Sequence, residues 1–220
     1  MASSKQRGFS LLEMVTVCSI GMVMMAITFI SLQPALKDAR VTTAYNTVLG
    51  QMRVARQKAV DNREQYIVCF GTDTPSGAAT PLGTATAQSI TVFQWPSGTA
   101  LSSAVETSAE QLPADIKFQT LSVPSPGIPT SPTAVPDGFG TGNVALAFDQ
   151  GVSGGVVDEV MFQPDGTARD TNGNINSGVL YMARTGDLFS SRSITVFGAS
   201  GRIRGWRLVN RTGTPTWIEQ

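Results

Sequence analysis

Glu13 is the first residue of this chain that asks for a chemical explanation. It stands at the head of an apolar run, Met14 to Leu32, that holds no charged residue and has about the length an α-helix needs to cross the hydrocarbon core of a bilayer. A carboxylate at mid-membrane costs roughly 2.5–3.5 kcal/mol unless it lies near the interface or meets a partner. A cut between Gly8 and Phe9 would supply that partner. The new α-amino group is a cation at neutral pH about one helical turn from Glu13, and free helix-end N–H groups also favour a nearby carboxylate. In a stack of staggered parallel helices, Glu13 of one subunit meets the Phe9 amine of its neighbour instead. The buried charge then enforces register.

A second constellation lies near the other end. Arg202, Arg204 and Trp206 alternate in the sequence, so on a strand they project from one face. Two guanidiniums beside an indole suit a nucleic acid, because arginine engages phosphates and an aromatic platform stacks on bases. Arg207 and Arg211 extend the charge. The competing reading pairs these arginines with acids from the middle of the chain. A third cluster, Asp170, Asn172 and Asn174, offers oxygens at alternate positions like the start of a calcium loop, but the sixth position is Ile175 and the twelfth Tyr181, where that loop uses Gly and Glu. A polar hairpin loop explains the cluster better. The chain has no histidine, the commonest general base and metal ligand, so the sequence supports no enzyme and no cofactor. Cys18 sits in the apolar run and Cys69 in a strand-like run, an arrangement that predicts two buried thiols and no bridge between them.

These residues need elements to hold them. Pro34 falls just past the apolar run, where it would kink the helix or mark its exit from lipid. Beyond it Val41, Tyr45, Val48, Met52, Ala55 and Ala59 follow alternating four- and three-residue steps, one apolar stripe on a helix that runs to about Asn62. Arg40, Arg53, Arg56 and Lys58 mostly lie off the stripe and read as a solvated face. From Gln65 the periodicity becomes that of strands: residues 66–70, 89–95, 116–121, 144–148, 159–162, 178–182, 193–197 and 202–209 are rich in β-branched and aromatic residues and set off by Gly, Pro and Ser. Pro164-Asp165-Gly166 reads as a tight turn and Gly198-Ala199-Ser200-Gly201 as a hairpin connection. Thr72 to Gln88 and the proline-rich Val123 to Gly142 read as exposed, mobile loops. The expected fold is α+β, a long amino-terminal helix packed against an antiparallel β-sheet head. Its segments are a leader, 1–8, a membrane-spanning half-helix, 9–33, an amphipathic half, 34–63, and a β-rich head, 64–220.

Lysine plus arginine and aspartate plus glutamate each number 16, so the whole chain is neutral. The distribution is not even. Lys37 to Arg63 holds six basic and two acidic residues, Glu64 to Ala183 two basic and eleven acidic, and Arg184 to Arg211 six basic and one acidic. A neutral total therefore conceals segregated patches.

The leader Lys5-Gln6-Arg7-Gly8, followed by Phe9-Ser10-Leu11-Leu12-Glu13 and the apolar run, resembles the class III signal of type IV pilins and type II secretion pseudopilins. That resemblance implies cleavage after Gly8 by prepilin peptidase, N-methylation of Phe9 and an assembly role for Glu13. Phe162-Gln163-Pro164-Asp165-Gly166-Thr167 and Ser200-Gly201-Arg202-Ile203-Arg204 look like the head of the H-type pseudopilins and FimT-type minor pilins, the GspH/FimT family. The expectation is a minor pseudopilin serving type II protein secretion, held in the bacterial inner membrane with its head in the periplasm. Its partners would be other major and minor pseudopilins or pilins and secreted cargo. Two alternatives stand beside it: a FimT-like pilin binding DNA for natural transformation through Gly201, Arg202 and Arg204, and a simple membrane-anchored binding protein.

Overall fold

The helical stripe closes a core. In a computed structural model of the chain, which describes residues 10–71, 88–121, 135–140, 142, 144–150, 159–170, 172–211 and 214–220, the first element is α1, Leu11–Asn62. Pro34 lies inside this helix, which continues past it. The chain divides into two compact units, the first running to Arg40 and the second from Val41 to Gln220. In the second unit every predicted stripe residue is buried, with Ala44 and Leu49 added. Cys69 is also buried, whereas Cys18 is left uncovered by its own chain.

Among the described residues the head holds eleven strands in two antiparallel sheets. The first contains β1 (Gln65–Phe70), β2 (Ser89–Trp95), β3 (Val105–Gln111), β6 (Glu159–Phe162) and β7 (Ala168–Arg169), in the order β3-β2-β1-β6-β7. The second contains β4 (Ile116–Phe118), β8 (Ser177–Arg184), β9 (Arg192–Phe197), β10 (Arg202–Arg211) and β11 (Thr214–Glu219), in the order β11-β10-β9-β8-β4, and β5 (Leu146–Gln150) joins β8 beside β4. One edge of β8 is thus shared, Ile116 facing Arg184 and Leu146 facing Leu180. The main core gathers Val48, Met52 and Ala55 of α1, Tyr66, Val68 and Phe70 of β1, and Leu180, Met182, Ile194 and Val196 of β8 and β9. Alternate residues Ile67 and Cys69 of β1 face the other way, into a smaller cluster with Phe93 and Met161 that Trp95 and Leu101 cover. Burial on both faces explains why β1 reads as a continuous apolar run rather than an alternating one.

Several expectations need correction. The long helix packed on antiparallel sheets is as expected, and the differences lie in individual strands and loops. Three strands escaped the sequence reading: β3, β7 and β11. β3 is Val-Glu-Thr-Ser-Ala-Glu-Gln on an open sheet edge, exposed along nearly its whole length, so it carries no apolar alternation. The strand expected over 116–121 ends at Phe118, and Gln119 instead donates its side-chain amide to the Ala183 carbonyl at 3.0 Å and to Thr185 Oγ1 at 3.2 Å. The proline-rich stretch was expected to be exposed, but in its described part Val135 and Pro136 are buried. The loop predicted over Thr72 to Gln88 lies outside the described residues except for Gln88, whose amide caps the Ala114 and Ile116 carbonyls.

Candidate functional site

At the amino end, Gly8 and Phe9 lie outside the described residues. Glu13 is exposed in the first turn of α1, where its N–H and that of Met14 both reach the Ser10 carbonyl, at 3.0 and 3.2 Å. The helix that follows is long and apolar enough to cross a membrane, and none of its apolar window is buried within the chain. Leu11, Met22, Met25, Phe29 and Ile30 are each more than two-thirds exposed. Leaving one such side chain in water rather than burying it costs about 1.5–3 kcal/mol, so this surface is stabilised by removal from water.

At the other end, β10 places Arg202, Arg204 and Trp206 as the alternation predicted, but their surroundings differ sharply. Arg204 is consumed by the head itself. Its guanidinium pairs with Asp137 at 2.8 Å and with Glu219 at 2.9 Å, and lies over the rings of Phe197 and Trp206, 5.9 and 5.7 Å from their centroids. Asp137 is itself fixed, its carboxylate accepting a 2.5 Å hydrogen bond from Thr195 Oγ1 and its backbone held at φ +53°. Trp206 Nε1 donates to the same Thr195 oxygen at 3.0 Å. The proposed platform is thus partly roofed by the segment around Asp137, and a middle-segment acid neutralises one of its two arginines. Arg202 and Arg207 remain exposed.

Arg56 corrects the solvated-face reading. Half-buried, it donates from Nε to the Gly166 carbonyl at 3.1 Å and from Nη2 to the Ser200 carbonyl at 3.0 Å. Those carbonyls belong to the two turns singled out in the sequence, Pro164-Asp165-Gly166 and Gly198-Ala199-Ser200-Gly201. The first closes with Gly166 N–H on the Gln163 carbonyl at 2.8 Å and with Asp165 Oδ1 accepting from the Thr167 N–H and hydroxyl at 2.9 and 2.6 Å. Those two donors hold the Asp165 carboxyl below its ordinary value. Gly201 has φ +58°, and a Cβ there would lie 1.8 Å from the Gly166 carbonyl oxygen, so the two turns touch where only glycine fits. A second close approach is Gly205, where a Cβ would fall 1.5 Å from the buried Tyr45 hydroxyl. Burial pushes that hydroxyl's pKa up, against the nearby Arg53 and Arg192 charges.

The Asp170 cluster is a loop brace. Asp170 Oδ1 accepts the N–H groups of Asn172 and Asn174 at 3.0 and 2.7 Å, and Oδ2 accepts the Asn174 amide at 3.0 Å. Both oxygens face N–H donors, which orient the opposite way from metal ligands. The residues the sequence reading missed are Asp137, Glu219, Phe197 and Arg56. For Arg56 a signal existed in its place four residues after Met52, flanking the stripe. For Asp137 the signal was a Pro-Asp-Gly turn inside the proline-rich stretch.

Three comparisons bear on these surfaces. No curated protein matches the chain. Among solved structures, the crystal structure of the type IV minor pilin FimU of Pseudomonas aeruginosa (strain PAO1) is similar at a TM-score of 0.43 and 11% identity, covering 80% of this chain and 91% of that one. A family model described as the prokaryotic N-terminal methylation motif matches residues 3–29. The amino-terminal segment that contains Gly8, Phe9 and Glu13 therefore carries the methylation motif of type IV prepilins, set on a long helix whose second half packs against antiparallel sheets.

Proposed function

We propose that this chain is a minor pilin-like subunit. It is held in the inner membrane by the apolar part of α1, trimmed after Gly8 by prepilin peptidase and methylated at Phe9. Through that helix it is built into a periplasmic pseudopilus or pilus tip that serves type II protein secretion. The observation that carries this reading is the pairing of the methylation motif with a helical surface, Leu11 to Leu36, that its own chain leaves uncovered. Neighbouring helices would bury that surface, and the Phe9 amine of one subunit would neutralise Glu13 of another. The head then presents its surfaces to other pilins or pseudopilins and to cargo.

Secretion is preferred to DNA capture because Arg204, one of the two arginines that the DNA reading needs, is engaged by Asp137 and Glu219. Exposed Arg202 and Arg207 keep the second reading testable. The test co-expresses the full chain with prepilin peptidase and reads the intact mass. Loss of residues 1–8 with one added methyl is expected, and Glu13→Gln should preserve cleavage while losing cross-linked incorporation among partner subunits. A chain that stays uncleaved would refute assembly and leave a simple anchored binding protein.

A further inference from the structure

Arg53 and Arg56 of α1 and Arg202 of β10 line one open groove on the head, with Gln57, Gly201 and Ile203. Among the described residues no carboxylate lines it. Arg53 and Arg202 are exposed, and neither forms an ion pair among the described residues. Arg56 spends Nε and Nη2 on the two turn carbonyls, which fixes its guanidinium in place, and Gln57 is turned along the helix to Asp61 at 2.8 Å. Three guanidiniums in one cleft repel each other and concentrate a positive field. Their planar forks match carboxylates in pairs.

The complementary surface is on the same chain. β3 ends its sheet, so among the described residues its outer edge carries unpaired backbone groups, and Glu106 and Glu110 are exposed on it. Glu110 shares a shallow groove with Lys58 but makes no ion pair with it. A basic groove at one place and an acidic edge strand at another are complementary in charge, as the two sides of a heterologous contact are. Such contacts run head to tail and extend into rings or open helical arrays, unlike the closed pairing of a single self-complementary patch.

We propose that the Arg53–Arg56–Arg202 groove receives the Glu106 and Glu110 edge strand of a second copy of this chain where two copies lie side by side. The inference rests on the assembly reading above and names the surface that reading leaves open. It is tested with the full chain, cleaved and solubilised in detergent, by sedimentation at low and high salt. One variant carries Arg53→Glu and Arg202→Glu, so that groove and strand are both acidic. The other carries Glu106→Arg and Glu110→Arg, so that both are basic. Arg56 is left intact because it holds the turns.

Wild type should associate at low salt and weaken at high salt, as exposed charge contacts do. Each variant alone should associate at least tenfold more weakly. An equimolar mixture of the two should recover association, because the acidic groove of one meets the basic strand of the other and the reverse contact is also complementary. The proposal is overturned if association is absent, if it resists salt and both reversals, or if mixing restores nothing. A labelled single-stranded oligonucleotide forms the last arm. Binding to it that is lost in the Arg53→Glu, Arg202→Glu variant, without association of the protein, would reassign the groove to nucleic acid. Intact mass of the same samples reports leader cleavage separately, so a cleaved chain that fails to associate sinks this contact and leaves the assembly reading standing.

Discussion

Replacing Arg56 by alanine removes one side chain and should loosen two turns 34 residues apart in the sequence, at Gly166 and Ser200. A hydrogen bond from a charged donor contributes about 1.5–3 kcal/mol, and the lower end applies here because the Ser200 contact is exposed and its carbonyl can turn to water. The Gly166 contact is half-buried, so its carbonyl is less easily rehydrated. Together the two bonds amount to about 3–4 kcal/mol of local stability, or roughly 100-fold or more in the opening equilibrium of the two turns. Arg56→Lys should restore about half of that effect, since a single ammonium lacks the fork that reaches both carbonyls. Amide hydrogen exchange of the full chain in detergent, read at peptides spanning 163–168 and 197–203, provides the assay. Protection should fall at both sites in Arg56→Ala and stay unchanged in β1, whose pairing with β2 does not involve this side chain. The clamp is refuted if protection is unchanged at both turns, or falls at one alone. It is equally refuted if Arg56→Lys matches wild type.

Arg204→Ala leaves the nearly buried Asp137 without its cation and should destabilise the head by about 3 kcal/mol, whereas exposed Arg202→Ala should cost less than about 0.5 kcal/mol; paired thermal melts decide, and equal effects would contradict the ion-pair network. Binding assays that remove Arg202 and Arg204 together would thus confuse unfolding with lost contact, so a DNA titration is informative only with variants that keep Arg204. Gly205→Ala forces a Cβ against the Tyr45 hydroxyl and should cost about 1–3 kcal/mol as overpacking; adding Tyr45→Phe should relieve part of it, since the ring carbon behind the hydroxyl would still lie 2.7 Å away. Asp165 has a folded-state pKa below its ordinary value, so its contribution to stability is present above about 3.8 and is lost as pH falls through the folded value. Thr167→Val removes the hydroxyl donor and keeps the backbone one, and a carboxyl titration by NMR should show the Asp165 pKa rising only part of the way.

Some of this molecule is legible in local pattern because the physics is local. The stripe Val41, Tyr45, Val48, Met52, Ala55 and Ala59 is periodic since a helix repeats every few residues, and every member is buried. The apolar run before it follows from composition, and the match of residues 3–29 to a methylation motif from the order of residues along the chain. Most strands announce themselves through β-branched and aromatic residues whose side chains must be covered. The Pro164-Asp165-Gly166 and Gly198–Gly201 turns follow from residues that tolerate the backbone angles required.

Tertiary structure alone decided the rest. β3 draws on its pairing partner rather than on its own apolar content, so on an exposed edge it has no pattern to read. The division of the strands between two sheets depends on β4 leaving its chain neighbours to pair with β8, a choice made by contacts distant in sequence. The arginines show the limit most clearly. Periodicity placed Arg202, Arg204 and Trp206 on one strand face, but it carried no information on which would be free, because Arg204 is occupied by Asp137, 67 residues upstream. Arg56 read as solvated until folding brought two turn carbonyls within 3.1 Å. A charged side chain's role is set by which groups surround it in space, and one-dimensional spacing encodes that only where those neighbours lie within the same helix, strand or turn.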